Sequence, residues 1–169
     1  MDRWSEPDAH HRRSIRLPGY DYAQPGAYFV TIVSHGRELL FGAIVDGEMQ
    51  PNACGEAVQR VWFELPEHYP QFRRDAFVVM PNHVHGIVVI EDEPSSSRRA
   101  GLAEVVRGFK TFSARRVNGL RGTAGVSIWQ RNHYERVIRD DRELDRVRAD
   151  IGANPSGWTE DRENPAKLL

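Results

Sequence analysis

The sequence holds a single cysteine in 169 residues, Cys54. One thiol excludes an intramolecular disulfide and a zinc site built on several cysteines. No apolar run approaches the roughly 20 residues of a membrane-spanning helix. The opening residues, MDRWSEPDAHHRRS, lack the apolar centre of a secretory signal. These absences point to a cytoplasmic protein with no membrane partner. Tyrosine is scarce late in the chain, where Tyr134 stands alone after Tyr69. Excess charge is absent too: the net value is −1, so bulk electrostatics announces no nucleic-acid partner.

What is present fits one globular domain, 1–169, with a loose arm over 1–18 and a tail over 159–169. Hydrophobic residues make up 40% and charged residues 28%, enough of each for a core and a soluble surface. Charge is unevenly spread. Residues 98–121 carry Arg98, Arg99, Arg107, Lys110, Arg115, Arg116 and Arg121 against Glu104 alone. Such a stretch is either a phosphate footprint or a solvated helix face.

The most informative stretch is DAFVVMPNHVHGIVVI, 75–90. Two short β-branched runs flank a Pro-Asn step and read as buried strands. On a strand, side chains at i and i+2 share a face. His83 and His85 therefore project side by side, with Val84 pointing the other way. Two imidazoles on one rigid strand make half of a metal site. With seven histidines in the chain such a pair is not rare by chance, so its context decides.

The rest of the chain supplies that context. AYFVTIV, 27–33, reads as a first strand. Asp46-Gly47 between 39–45 and 48–50 suits a type I′ hairpin turn. Apolar residues at helical spacing mark 53–65, with Asn52 as N-cap and Pro66 ending or kinking the helix. EDEPSSSRRA, 91–100, reads as a flexible connection. A second helix runs over 102–118, with Leu102, Val105, Val106, Phe109 and Phe112 on its apolar stripe. A short strand is expected near 134–138. A last helix, capped by Asp140 or Asp141, buries Leu144, Val147 and Ile151 and ends at Asn154-Pro155. The order predicts an α+β fold of the ferredoxin-like split βαβ kind. Its antiparallel sheet has helices on one face, a central histidine strand and an extra C-terminal helix.

With these motifs placed, the chain resembles the single-tyrosine HUH transposases, and among them the REP-associated tyrosine transposases. HUH denotes His-hydrophobic-His, matched by His83-Val84-His85. VVMPNHVHGIVVI is similar to the central signature of that branch. RRSIRLPGYDYAQPGAYFVTI (12–32), LFGAIVDGEM (40–49), VVRGFKTFSARRVNGLRGT (105–123), IWQRN (128–132) and ANPSGW (153–158) follow in the same order. The resemblance implies a dimeric, metal-dependent strand-transferase that binds a DNA hairpin and cuts the single strand beside it. It also implies a tyrosine nucleophile and Mg²⁺ or Mn²⁺ held by both histidines and a third polar side chain, here Asn154. Imidazoles alone would suggest zinc and its neighbours, so the hard ion comes from the family. Arg107, Lys110, Arg115 and Arg116 become candidate phosphate contacts. Tyr20 and Tyr22 become candidate stacking platforms for unpaired bases.

One departure bears on the chemistry. The family carries its nucleophile in a pattern like R-x-Tyr-Ile-x-x-Asn-Pro, and this chain reads Arg148-Ala149-Asp150-Ile151-Gly152-Ala153-Asn154-Pro155. Asp150 occupies the tyrosine position, and the i,i+4 spacing keeps Asp150 and Asn154 on one face. Three readings stay open. The protein binds hairpin DNA without strand transfer; or Tyr134 acts as nucleophile; or Asp150 joins the metal ligands and water attacks.

Overall fold

The computed structural model describes residues 19–22, 24–92 and 100–168. The arm over 1–18 and residues 93–99 of the expected connection, including Arg98 and Arg99, lie outside the described residues.

Four strands form the main sheet: β1 (Gly26–Val33), β4 (Phe72–Met80), β5 (His83–Ile90) and β6 (Tyr134–Ile138). Their order is β4-β5-β1-β6, and every adjacent pair is antiparallel. β1 and β4 are thus parallel to each other with β5 inserted between them, which is the split βαβ arrangement. The small hairpin β2 (Gly42–Val45) and β3 (Glu48–Pro51) turns at Asp46 and Gly47, with φ of 51° and 77°. Positive φ at both central residues is the type I′ turn that Asp-Gly favours.

Helix α1 (Ala53–His68) starts at Asn52, whose side chain accepts from the Gly55 amide at 3.0 Å. It runs past Pro66, and the Tyr69 amide still bonds the Leu65 carbonyl at 2.9 Å. The proline takes one bond from the ladder and the last turn survives. Helix α2 (Leu102–Arg121) ends at Gly122 in the left-handed region, φ 65°. Helix α3 (Asp141–Ala153) begins at Asp140, whose carboxylate accepts from the Glu143 amide at 2.8 Å.

The period of two sorts the sheet into two faces. Tyr28, Val30 and Ile32 of β1, with Val84 and Val88 of β5, enter the larger core with α1 and α2. The alternate residues, among them Phe29 and Ile87, face the other way, where Val147 and Ile151 of α3 cover them. Arg148 makes a bidentate pair with Asp75, at 2.8 and 2.6 Å. Asp75 is exposed to it by a bulge between Arg74 and Phe77. The two long helices thus share one face, and the extra C-terminal helix holds the other, which is the histidine face.

Candidate metal centre

His83 and His85 sit at the start of β5, beyond the end of the α3 stripe. Both rings turn to one side. Their Nε2 atoms are 3.0 Å apart. Each Nδ1 already has a partner: Asn82 Oδ1 at 2.9 Å for His83 and Thr31 Oγ1 at 2.8 Å for His85. An amide oxygen only accepts, so His83 carries its proton on Nδ1 and its Nε2 offers a lone pair. Asn82 is oriented in turn, because its amide nitrogen donates to the carbonyls of Glu163 at 2.8 Å and Arg37 at 3.2 Å. The Thr31 hydroxyl can donate or accept, so the His85 tautomer adapts. Burial pushes both imidazoles down, to about 3, and they are neutral at pH 7. Neutral rings with converging nitrogens are the form that binds a metal.

A third donor comes from the segment after α3. Asp161 Oδ2 lies 3.5 Å from His83 Nε2, and its side chain is 7% exposed. Its other oxygen, Oδ1, accepts from the Glu163 amide at 2.7 Å. Glu163 is paired with Arg37, and Trp158 stacks toward His83 with ring centres 6.1 Å apart. The tail is thus folded onto the histidines. Among the described residues, His83, His85 and Asp161 are the group of such donors able to share one ion.

His85 opens onto a cavity of about 710 Å³ whose lining also includes Phe29, Thr31, Tyr134, Asn154 and Asp161, and His83 lies fully buried behind it. Tyr134, Thr31 and His85 form one row across β6, β1 and β5. With strands about 4.8 Å apart, the Tyr134 backbone stands roughly 10 Å from that of His85. The Phe29 ring stacks on His85 at 5.4 Å and meets Tyr134 edge-on at 6.2 Å. Asn154, at the end of α3, has a buried Oδ1 with no hydrogen-bond partner among the described residues. Arg162 and Arg136, the latter paired with Glu143 at 2.9 Å, line the same cavity alongside the acidic Glu160, Asp161 and Glu163.

The structure thus gathers His85, Asn154 and Tyr134 around one space, with His83 buried against His85. Asp150 is exposed and is not part of its lining. The α2 residues stand elsewhere, because α2 packs on the opposite face of the sheet. Lys110 turns its ammonium to the carbonyls of Gln130, Arg131 and Asn132, at 2.9, 3.1 and 3.2 Å. Arg116 pairs with Glu64, while Arg107 and Arg115 are exposed. Tyr20 and Tyr22 pack with each other at 5.0 Å and against Tyr28, on the helix side. Sequence reasoning missed Asp161, Arg136 and Arg162. No spacing rule links a carboxylate in the tail to a strand so far away.

No family model matches the chain. An uncharacterized protein of Haemophilus influenzae is 37% identical over 172 residues, covering 90% of this chain and 93% of that protein. A second protein of that organism, carrying the provisional name REP-associated tyrosine transposase, is 28% identical over 127 residues, covering 73% of this chain and 66% of its own length. The fold is similar to a solved REP-associated tyrosine transposase bound to a REP hairpin. That match has a TM-score of 0.58 and 19% identity, covering 83% of this chain and 73% of the other. The split βαβ sheet and these likenesses make the chain a transposase-like protein. The chain resembles the REP-associated tyrosine transposases in sequence and in fold.

Proposed function

We propose that the protein binds a DNA hairpin and cuts and rejoins the single strand beside it, with Tyr134 as the attacking group and Mg²⁺ or Mn²⁺ as cofactor. The observation that carries this reading is the row Tyr134–Thr31–His85, in which a phenol and one ring of the histidine pair line the same cavity. The donor set fits a divalent ion: two neutral imidazoles with their far nitrogens fixed, and a carboxylate oxygen. When bound there, such an ion would polarise the scissile phosphate.

The chain's own residues supply the rest. Asn82 and Thr31 hold the imidazoles. Arg162 attracts the phosphate, and Phe29 forms an apolar floor that weakens solvent screening. The Tyr134 oxygen gives up its proton and bonds to phosphorus as the bond from phosphorus to the 3′ oxygen breaks; that oxygen takes up a proton from water and leaves as a hydroxyl, and the phosphotyrosine conserves the bond energy for rejoining. Arg107 and Arg115, on the far side of α2, are left for the duplex part of the hairpin. A homodimer is the assembly this reading expects, and sedimentation velocity measures it.

A second reading has its own observation. Asp150, where the family has tyrosine, is exposed and outside the cavity lining. A chain that lost its nucleophile would remain a hairpin-binding module. Incubation with a labelled hairpin oligonucleotide and Mn²⁺ separates the two. A covalent protein–DNA band that disappears in Tyr134→Phe supports strand transfer. A gel shift without cleavage supports the silent module, and cleavage without a covalent band points to attack by water.

A further inference from the structure

The family pattern assigns the third metal donor to the end of the last helix, which is Asn154 here. The structure brings a further donor, a carboxylate, to the rings. We propose that Asp161 completes the site, and that His83, His85 and Asp161 form a two-histidine, one-carboxylate set selecting a first-row transition ion over Mg²⁺. This rests on reading the cavity as a metal site, but not on any strand chemistry.

Three observations carry it. First, donor spacing: an ion about 2.1 Å from each donor sets neighbouring donors about 3.0 Å apart in an octahedral shell. The two Nε2 atoms already stand at 3.0 Å, and Asp161 Oδ2 is 3.5 Å from the nearer of them. Second, Asp161 is held for the task. Its Oδ1 is occupied by the Glu163 amide, which leaves Oδ2 toward the rings. Glu163 is itself fastened by Arg37 and by the buried Asn82. The residue that orients His83 therefore also anchors the segment bearing the third donor. Third, Asn154 Oδ1 is buried without a partner among the described residues. It lines the same cavity, and in this assignment it would accept from a water on the ion instead of binding the ion directly.

The ligand chemistry follows. Two imidazoles and one carboxylate on one side of an ion is the arrangement of facial transition-metal sites with open positions. Mg²⁺ asks for oxygen and parts with water reluctantly. Affinity for such a mixed nitrogen and oxygen set rises from Mn²⁺ through Fe²⁺ and Co²⁺ to Ni²⁺ and Cu²⁺. The carboxylate also makes the site net negative, where an amide ligand would leave it neutral.

The test is equilibrium binding of Mn²⁺ to the full chain, followed by the paramagnetic resonance of free Mn²⁺, with Co²⁺ absorption as a second readout. One site is expected. Asp161→Asn, which preserves shape and the Oδ1 contact, should weaken Mn²⁺ about tenfold or more, whereas Asn154→Ala should weaken it by less than about threefold. Mg²⁺ at about a hundredfold excess should leave most Mn²⁺ bound. Equal losses in the two variants, or a larger loss in Asn154→Ala, would overturn the assignment. Ready displacement by Mg²⁺ would overturn the selectivity. Absence of Mn²⁺ and Co²⁺ binding in the unaltered protein would overturn the metal reading itself, a different failure from a donor misassigned within a working site.

Discussion

Asn82 Oδ1 lies 2.9 Å from Nδ1 of His83, the next residue in the chain, and both side chains are fully buried. The contact sets which nitrogen of His83 bears the proton and so which one faces His85. Asn82→Ala removes that constraint and also frees the Glu163 carbonyl. Metal affinity should fall about 10- to 100-fold, the usual effect of losing an outer partner of a ligating histidine. Isothermal titration with Mn²⁺ measures it, and unchanged affinity would mean the ring is held by packing alone.

Acid should destabilise the fold through the same pair. Both imidazoles titrate at about 3 when folded, chiefly because of burial. An unfolded histidine titrates near 6.5, so between these values the unfolded chain binds more protons. The stability contributed is complete above about pH 6.5 and is lost as pH falls toward 3, at roughly 1.4 kcal/mol per pH unit for each ring. Urea midpoints for the metal-free protein should therefore drop between pH 7 and 5. The drop should shrink in His85→Ala, and an equal drop would assign the effect to other groups.

Lys110 acts as a clamp. Its ammonium binds three successive carbonyls of the segment leading into β6, and burial lowers its pKa to about 8. Lys110→Met keeps the stem and removes the donors. A loss of about 1–3 kcal/mol is expected, with faster amide exchange across 130–133. If exchange there is unchanged, the loop is held by the Gln130 amide bond to Val33.

Gly86 separates the histidine pair from the core beneath. A Cβ at this position would meet the Trp62 ring at 2.6 Å and Phe77 at 3.1 Å. Those two rings are stacked 4.4 Å apart, so neither yields freely. Gly86→Ala should destabilise by about 1–3 kcal/mol and shift the tryptophan emission. A neutral result would show that the ring pair slides to make room.

Local signals placed most of the elements. Alternation of β-branched residues marked β1 and β5, Asp46-Gly47 marked the hairpin, and Asn52 and Asp140 marked two helix starts. Pro66 misled by a turn, since one missing amide near a helix end is tolerated. The candidate site was legible only in part. His83 and His85 share a face because a strand has a period of two, which any reader of the sequence can apply.

What the sequence alone determined is therefore the elements, their faces and the adjacency of the two imidazoles, all properties of residues a few positions apart. What the tertiary structure decided is which distant groups meet them. Asp161 reaches His83 because the chain turns back after α3 and Glu163 locks onto Arg37 and Asn82. The basic residues of α2 stay away because that helix is buried on the other side of the sheet. Lys110 turns inward because three loop carbonyls converge on it. Such meetings depend on how whole elements pack, and no local periodicity encodes them.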